Sequence, residues 1–215
     1  PLAEFIFHQR NREQIEQMDY VSFMGVLDEN NRPPGGKKSI REILQNCFLT
    51  QEANVLHVGC NTGYSSFEIA HLLKCRVTGI DLNQKMIEAA NHKLSVDLEE
   101  YRNRLCFQVG DARHLPFPDK HFDLVFSAGS TAFMADREQC LAEFKRVCKP
   151  YGFIADTFLF YPETPPTDLL VKINNAIGIN IQPWNERYWT DAYRNQDLET
   201  YYYKPHKMET LPTDD

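Results

Sequence analysis

A chain of 215 residues, 42% hydrophobic and 25% charged, is long enough for one folded domain with a full core. Its net charge of −7, with no dense stripe of Lys and Arg, argues against a nucleic-acid-binding surface, which needs clustered cations to neutralise phosphates. No apolar run approaches the ~20 residues that cross a membrane, and no signal peptide is visible at Pro1-Leu2-Ala3-Glu4.

Residues 1–36 read as an N-terminal helical cap, with spaced apolar positions at Phe5, Ile6, Ile15, Met18, Val21 and Met24. Tyr20 and Phe23 there suit either a lid over a ligand or the core contacts of a capping helix. Gly36-Lys37-Lys38-Ser39 follows no apolar strand and has the wrong glycine spacing for a phosphate-binding loop. Ser39 with Glu42 instead predicts a capping box opening a helix that carries Ile40, Ile43, Leu44 and Phe48 inward. The six cysteines include no C-x-x-C pair and read as reduced core thiols of a cytoplasmic protein, with no metal site.

Asn54–Val58 predicts the first strand, Gly59-Cys60-Asn61-Thr62-Gly63 a glycine-bearing turn, Phe67–Leu73 a helix, and Val77–Asp81 a second strand ending in an acid. This unit suits an adenosine-type ligand: small residues let backbone N–H groups approach it, and the acid accepts from ribose hydroxyls. Asn83 caps a helix bearing Met86, Ile87, Ala90 and Leu94. Leu105–Val109 and Phe122–Phe126 predict strands three and four, Arg137–Cys148 a helix capped by Asp136, and Phe153–Thr157 strand five. Strands and helices that alternate in this way imply a Rossmann-like α/β fold, an open and mostly parallel sheet with helices on both faces. Gly59–Gly63, Asp81, Asp111 and Ser127 all fall at strand ends on one edge of that sheet, where ligands of such folds bind. Leu198–Tyr203 is a candidate sixth strand, and no seventh is visible, so residues 37–215 read as a C-terminally shortened domain. A dinucleotide fingerprint fails at two of its three glycines, at Asn61 and Tyr64, which argues against NAD.

His57–Gly63, Gly79-Ile80-Asp81-Leu82-Asn83, Gly110-Asp111-Ala112, Leu115–Val125 and Leu141–Gly152 together resemble the class I S-adenosylmethionine-dependent methyltransferases, in the small-molecule and quinone-methylating branch. The resemblance covers about residues 37–160. It implies transfer of a methyl group from S-adenosylmethionine to oxygen, nitrogen or carbon of a small-molecule acceptor, leaving S-adenosylhomocysteine. It places Gly59, Cys60, Asn61 and Gly63 near the methionine moiety and Asp81 on the ribose. Leu82 and Met86 then lie against adenine, with Asp111 accepting from its amino group and Ala112 beside it. Ser127 and Ala128 line the floor under the sulfonium. From the residues alone, Asp81 also suits a helix-capping acid and Asp111 a turn acid.

Two positions depart from the family pattern: His57 stands where an acid is usual, and Asn61 where a glycine is. The first keeps open a second reading, a cofactor-binding or scaffold protein without turnover. No general base follows from the sequence. His8, Tyr20, Thr157, Tyr161, Tyr203 and His206 are candidate polar groups, and Phe133, Phe158, Phe160, Trp184, Tyr188 and Trp189 suit either an apolar acceptor wall or plain core.

Overall fold

The computed structural model describes residues 33–97, 101, 103–177 and 180–207, together with residue 17. The helical cap expected in residues 1–36, with His8, Tyr20 and Phe23, lies almost wholly outside them. The described elements are α1 (Gly36–Asn46), β1 (Asn54–Val58), α2 (Tyr64–Leu73), β2 (Arg76–Asp81), α3 (Gln84–Asp97), β3 (Leu105–Val109) and β4 (Phe122–Ser127). A short 3₁₀ turn (Ser130–Phe133), α4 (Arg137–Val147), β5 (Cys148–Asp156), α5 (Thr167–Ile177) and α6 (Glu186–Arg194) follow.

The five strands form one sheet in the order β3-β2-β1-β4-β5, and each neighbouring pair is parallel. Two of the strands are buried on both sides, which explains their unbroken apolar reading. Val55, Leu56 and Val58 of β1 and Leu124, Val125 and Phe126 of β4 are each at most 1% exposed. Ile40 and Leu44 of α1, Ile69 and Ala70 of α2 and Ile87 and Ala90 of α3 cover one face. Cys140, Leu141, Phe144 and Val147 of α4 cover the other.

The chain moves outward from β1 through β2 to β3, then returns to the opposite side of β1 as β4. The strand order therefore reverses between β1 and β4, and a crevice opens at their C-terminal ends. The glycine turn and the loop after β4 meet there.

Three expectations need correction. Helix α1 starts at Gly36 on a left-handed Gly35 (φ 81°), and Ser39 lies inside it, donating from Oγ to the Gly36 carbonyl at 2.9 Å; there is no capping box. Strand β5 begins five residues earlier than the sequence suggests, because Cys148 pairs with Phe122 across a register irregularity. Residues 198–203 form no strand. Tyr201 instead crosses the face of β5, packing edge-on against Phe153 and Phe48 at ring separations of 5.7 and 6.3 Å. Lys204 then anchors the segment to Glu42 of α1 at 2.9 Å. Among the described residues β5 has no partner on its outer edge.

The expected caps at Asn83 and Asp136 are present. Asn83 Oδ1 accepts from the Lys85 N–H at 3.0 Å, and Asp136 Oδ1 from the Gln139 N–H at 3.3 Å.

Candidate functional site

The turn after β1 is built on three left-handed residues, Gly59 (φ 69°), Asn61 (φ 48°) and Gly63 (φ 89°). Asparagine tolerates that conformation better than most residues, so Asn61 keeps the turn where the family pattern has glycine. Its Oδ1 also accepts from the Thr62 N–H at 2.7 Å. A Cβ added to Gly63 would lie 2.8 Å from the Phe107 ring, and one added to Gly59 would lie 2.2 Å from Ser130 Oγ.

The backbone donors of this turn are spent inside the protein. Gly59 and Cys60 both donate to the Ile80 carbonyl, at 2.8 and 2.9 Å, and Gly63 donates to the Cys60 carbonyl at 2.9 Å. The expectation that backbone N–H groups face a ligand is therefore revised.

Asp81 ends β2 and braces the turn. Its Oδ2 accepts from the Asn61 N–H at 2.8 Å and its Oδ1 from the Asn83 N–H at 2.9 Å. With a further hydrogen bond from the Leu82 N–H, the carboxylate keeps one acceptor position for a hydroxyl donor. Burial pushes its pKa up, against the hydrogen bonds from Asn83, Asn61 and Leu82. The capping and ligand-binding readings of this residue are thus compatible.

Beside Asp81, Leu82 is 69% exposed and Val109 at the end of β3 is 42% exposed. Two bared apolar side chains at neighbouring strand ends suit a flat apolar surface such as a purine. Val109 was not anticipated from sequence. Met86 is buried in α3, and Ala112 packs against the α4-side core. Asp111 is gripped by Arg113, whose Nη2 reaches Oδ2 at 2.6 Å and whose backbone N–H reaches Oδ1 at 2.9 Å. Arg113 holds its pKa down at about 2, so the group is ionised throughout the neutral range.

Ser127 is buried at the end of β4, and Ala128 packs on the α1-side core. Ser127 Oγ lies 2.9 Å from Ser130 Oγ, which donates to the Val58 carbonyl at 2.8 Å. Ser130 thus ties the ends of β1 and β4 together over Gly59. Sequence reading missed it, because its part depends on a contact across 72 positions.

His57 does not reach the crevice surface. It is 2% exposed and faces the α1 and α2 layer, with Nδ1 2.8 Å from Ser66 Oγ and its ring tilted on Phe126. Among the described residues Nε2 is buried without a hydrogen-bond partner. Burial pushes its pKa down to about 3, so it is neutral and supplies none of the negative charge an acid would bring. Cys60 is likewise buried and its thiol pushed well up, first by burial and then by Asp81, which removes it as a nucleophile.

The aromatic residues after β5 are mostly packed. Trp189 is fully buried, stacks on Phe158 at 4.8 Å and donates from Nε1 to the Leu159 carbonyl at 3.1 Å. Trp184 stacks on Tyr188 at 5.2 Å. Phe158, Phe160, Thr157 and Tyr203 line a cavity of about 1850 Å³, which runs along the open edge of β5 and does not include the glycine turn. The crevice, not this trough, holds the residues that fit an adenosine ligand. Phe133 is half exposed, the Tyr161 N–H is bonded to the Trp184 carbonyl, and His206 Nε2 lies 3.4 Å from Glu42. Among the described residues no cluster of His, Cys, Asp and Glu has metal-binding geometry. No helix there is long and apolar enough to cross a membrane.

Residues 56–155 match the family model of a methyltransferase domain, the stretch from β1 to the end of β5. This match and the relatives below support a class I S-adenosylmethionine-dependent methyltransferase. It is 35% identical over 112 residues to the 27-O-demethylrifamycin SV methyltransferase of Amycolatopsis mediterranei, covering 50% of this chain and 39% of that protein. It is 26% identical over 162 residues to phosphoethanolamine N-methyltransferase 3 of Arabidopsis thaliana, covering 74% of this chain and 32% of that one. The chain therefore spans less than half the length of either relative. Among solved structures, the MccD protein superposes with a TM-score of 0.72 at 27% identity, over 77% of this chain and 72% of that chain.

S-adenosylmethionine is the cofactor of this methyltransferase family, and the crevice fits it. The glycine cradle admits no Cβ at Gly59 or Gly63, Asp81 retains acceptor capacity beside it, and Leu82 and Val109 present bare apolar surface suited to a base.

Proposed function

We propose that this domain transfers the methyl group of S-adenosylmethionine to a small-molecule acceptor bound beyond the C-terminal ends of β4 and β5. The observation that carries the reading is Asp81, a carboxylate at the switch-point edge that both braces the glycine turn and retains acceptor capacity. Gly59, Cys60, Asn61 and Gly63 cradle the methionine end, Leu82 and Met86 with Val109 support the adenine, and Ala112 closes its side. Asp111 is held ionised by Arg113, which contacts both of its oxygens, so it accepts from the adenine amino group once the Arg113 side chain swings off one of them. Ser127 and Ala128 form the floor.

The bound cofactor supplies an electrophilic methyl on a sulfonium, which needs an aligned nucleophile shielded from water rather than an elaborate catalytic apparatus. The protein's part is accordingly to bind, orient and exclude water. Ser127 and Ser130 hold the floor rigid through their shared hydrogen bond, and the apolar residues of β1 and β4 beneath them keep water out. A general base is required only for an acceptor that arrives protonated at high pKa. The relatives act on oxygen in one case and nitrogen in the other, by their names, so the acceptor atom here is left to assay.

The test is calorimetry with S-adenosylhomocysteine, followed by methyl release over a panel of hydroxyl, amine and carbon acceptors. Binding that is lost in Asp81→Ala, with turnover of at least one acceptor class, is the expected result. Binding without turnover of any acceptor favours the scaffold reading; binding unchanged in Asp81→Ala overturns the site.

A further inference from the structure

Arg137 is the first residue of α4, where a cation opposes the helix dipole; its placement serves something other than that helix. The side chain folds back over the 3₁₀ turn. Nε donates to the Thr131 carbonyl at 2.9 Å, Nη2 to the Ala132 carbonyl at 3.3 Å, and Nη1 to the Tyr188 hydroxyl. The guanidinium also lies over two indole rings, 4.2 Å from the centroid of Trp184 and 4.9 Å from that of Trp189. Such a half-buried cation–π cage with a planar fork suits arginine and not lysine.

The opposite side of the turn is held by Asp156 at the end of β5. Its Oδ2 accepts from Thr131 Oγ1 at 2.5 Å and from the Tyr193 hydroxyl at 2.8 Å. Oδ1 is buried with no partner at hydrogen-bonding geometry, although Ser127 and the Gly129 N–H lie close enough to favour its charge. Thr131, itself fully buried, is gripped through its carbonyl by Arg137 and through its hydroxyl by Asp156. One residue earlier, Ser130 is wedged against Gly59 and bonded to Ser127 and Val58. A turn held so tightly on both flanks cannot shift without moving Ser130 off the glycine turn. Trp184, Tyr188, Trp189 and Tyr193 lie C-terminal to residues 56–155, so the groups that brace Arg137 and Asp156 come from outside the stretch that matches the family model.

We propose that Arg137 and Asp156 are positioning residues: they clamp the Ser130–Phe133 turn between α6 and β1, and thereby set the floor beneath the methyl-bearing sulfur. The proposal rests on the reading above that puts Ser127 and Ala128 under that sulfur. Neither residue touches the cofactor, so each acts through the turn.

The full chain is titrated with S-adenosylmethionine and with S-adenosylhomocysteine, which differ only at the sulfur, and melted in parallel. Arg137→Lys keeps the charge but cannot span two carbonyls and a tyrosine hydroxyl; Asp156→Asn keeps the shape and loses the charge. Each is expected to weaken S-adenosylmethionine more than S-adenosylhomocysteine, shifting their affinity ratio by about tenfold, the scale of one well-placed polar contact. A variant that only loosened the fold would weaken both alike and leave the ratio where it was. Should either variant fail to fold, Thr131→Val removes one grip at constant volume and carries the same measurement. Wild type binding neither ligand overturns the cofactor reading. Wild type binding both, with the ratio unchanged in the folded variants, overturns the clamp alone.

Discussion

His57 is a titratable group placed where it cannot be charged, and that makes acid stability a quantitative test. Its native pKa is pushed down to about 3 by burial, whereas in the unfolded chain a histidine titrates near ~6.5. The unfolded state therefore takes up a proton that the native state refuses, and stability falls as pH drops below ~6.5, continuing down to the native value near 3. The slope well below ~6.5 is ~1.4 kcal/mol per pH unit, so between pH 7 and pH 5 this one residue costs ~2 kcal/mol. Carboxylates titrate in the same window, so the informative quantity is the difference between wild type and His57→Gln, which preserves a polar partner for Ser66. Urea unfolding at both pH values should show the wild type losing ~2 kcal/mol more than the variant. With typical urea slopes that is at least ~0.7 M in midpoint. Equal losses in the two proteins would refute the buried neutral histidine.

Three further substitutions probe the site and the core. Gly59→Ala puts a Cβ 2.2 Å from Ser130 Oγ at a left-handed φ of 69°; a loss of ~2–3 kcal/mol in thermal unfolding is expected, and a neutral result would show that the Ser130 wedge yields. Asp81→Asn turns an amide N–H₂ toward a backbone donor, at Asn61 or at Asn83. Affinity for S-adenosylhomocysteine should fall by about tenfold or more in calorimetry. Trp189→Ala empties a fully buried site and leaves the Leu159 carbonyl without its donor; ~3–5 kcal/mol of lost stability in denaturant unfolding is the expectation.

The five strands were legible because each carries its apolar run and ends at a Gly, Asp or Ser of distinct turn chemistry. Asn83 and Asp136 were legible as caps for the same reason: capping is local, and so is its sequence signal. What escaped was mostly long-range. The capping box at Ser39, a local misreading, lost to a left-handed Gly35–Gly36 pair that begins the helix four residues earlier. The Tyr201–Tyr203 run has strong β propensity, yet such propensity describes fit to a half-buried pleated surface, and here the rings pack across β5 and Phe48 instead. In the site, Asp81 announced itself by ending a strand, and Asp156 carried the same signal without being singled out. Ser130 and Arg137 carried none, since a serine in a small-residue loop and an arginine at a helix start mean little until Gly59, Thr131 and Trp184 are placed beside them.

The outer edge of β5, unpaired among the described residues, bears on how the protein behaves at high concentration. A strand paired on one side presents main-chain donors and acceptors to any extended segment that drifts by, which invites edge-to-edge stacking between molecules. The first half of β5 resists this by composition: Lys149 carries charge, Pro150 has no N–H to offer, and Tyr151 stands out at a left-handed φ of 64° that breaks the flat ribbon. Only Phe153–Asp156 remains regular enough to recruit a stranger, a length too short to hold one firmly. Resistance to such stacking along this strand therefore rests on four consecutive residues, Lys149 to Gly152, that a designer smoothing an awkward strand would be tempted to replace.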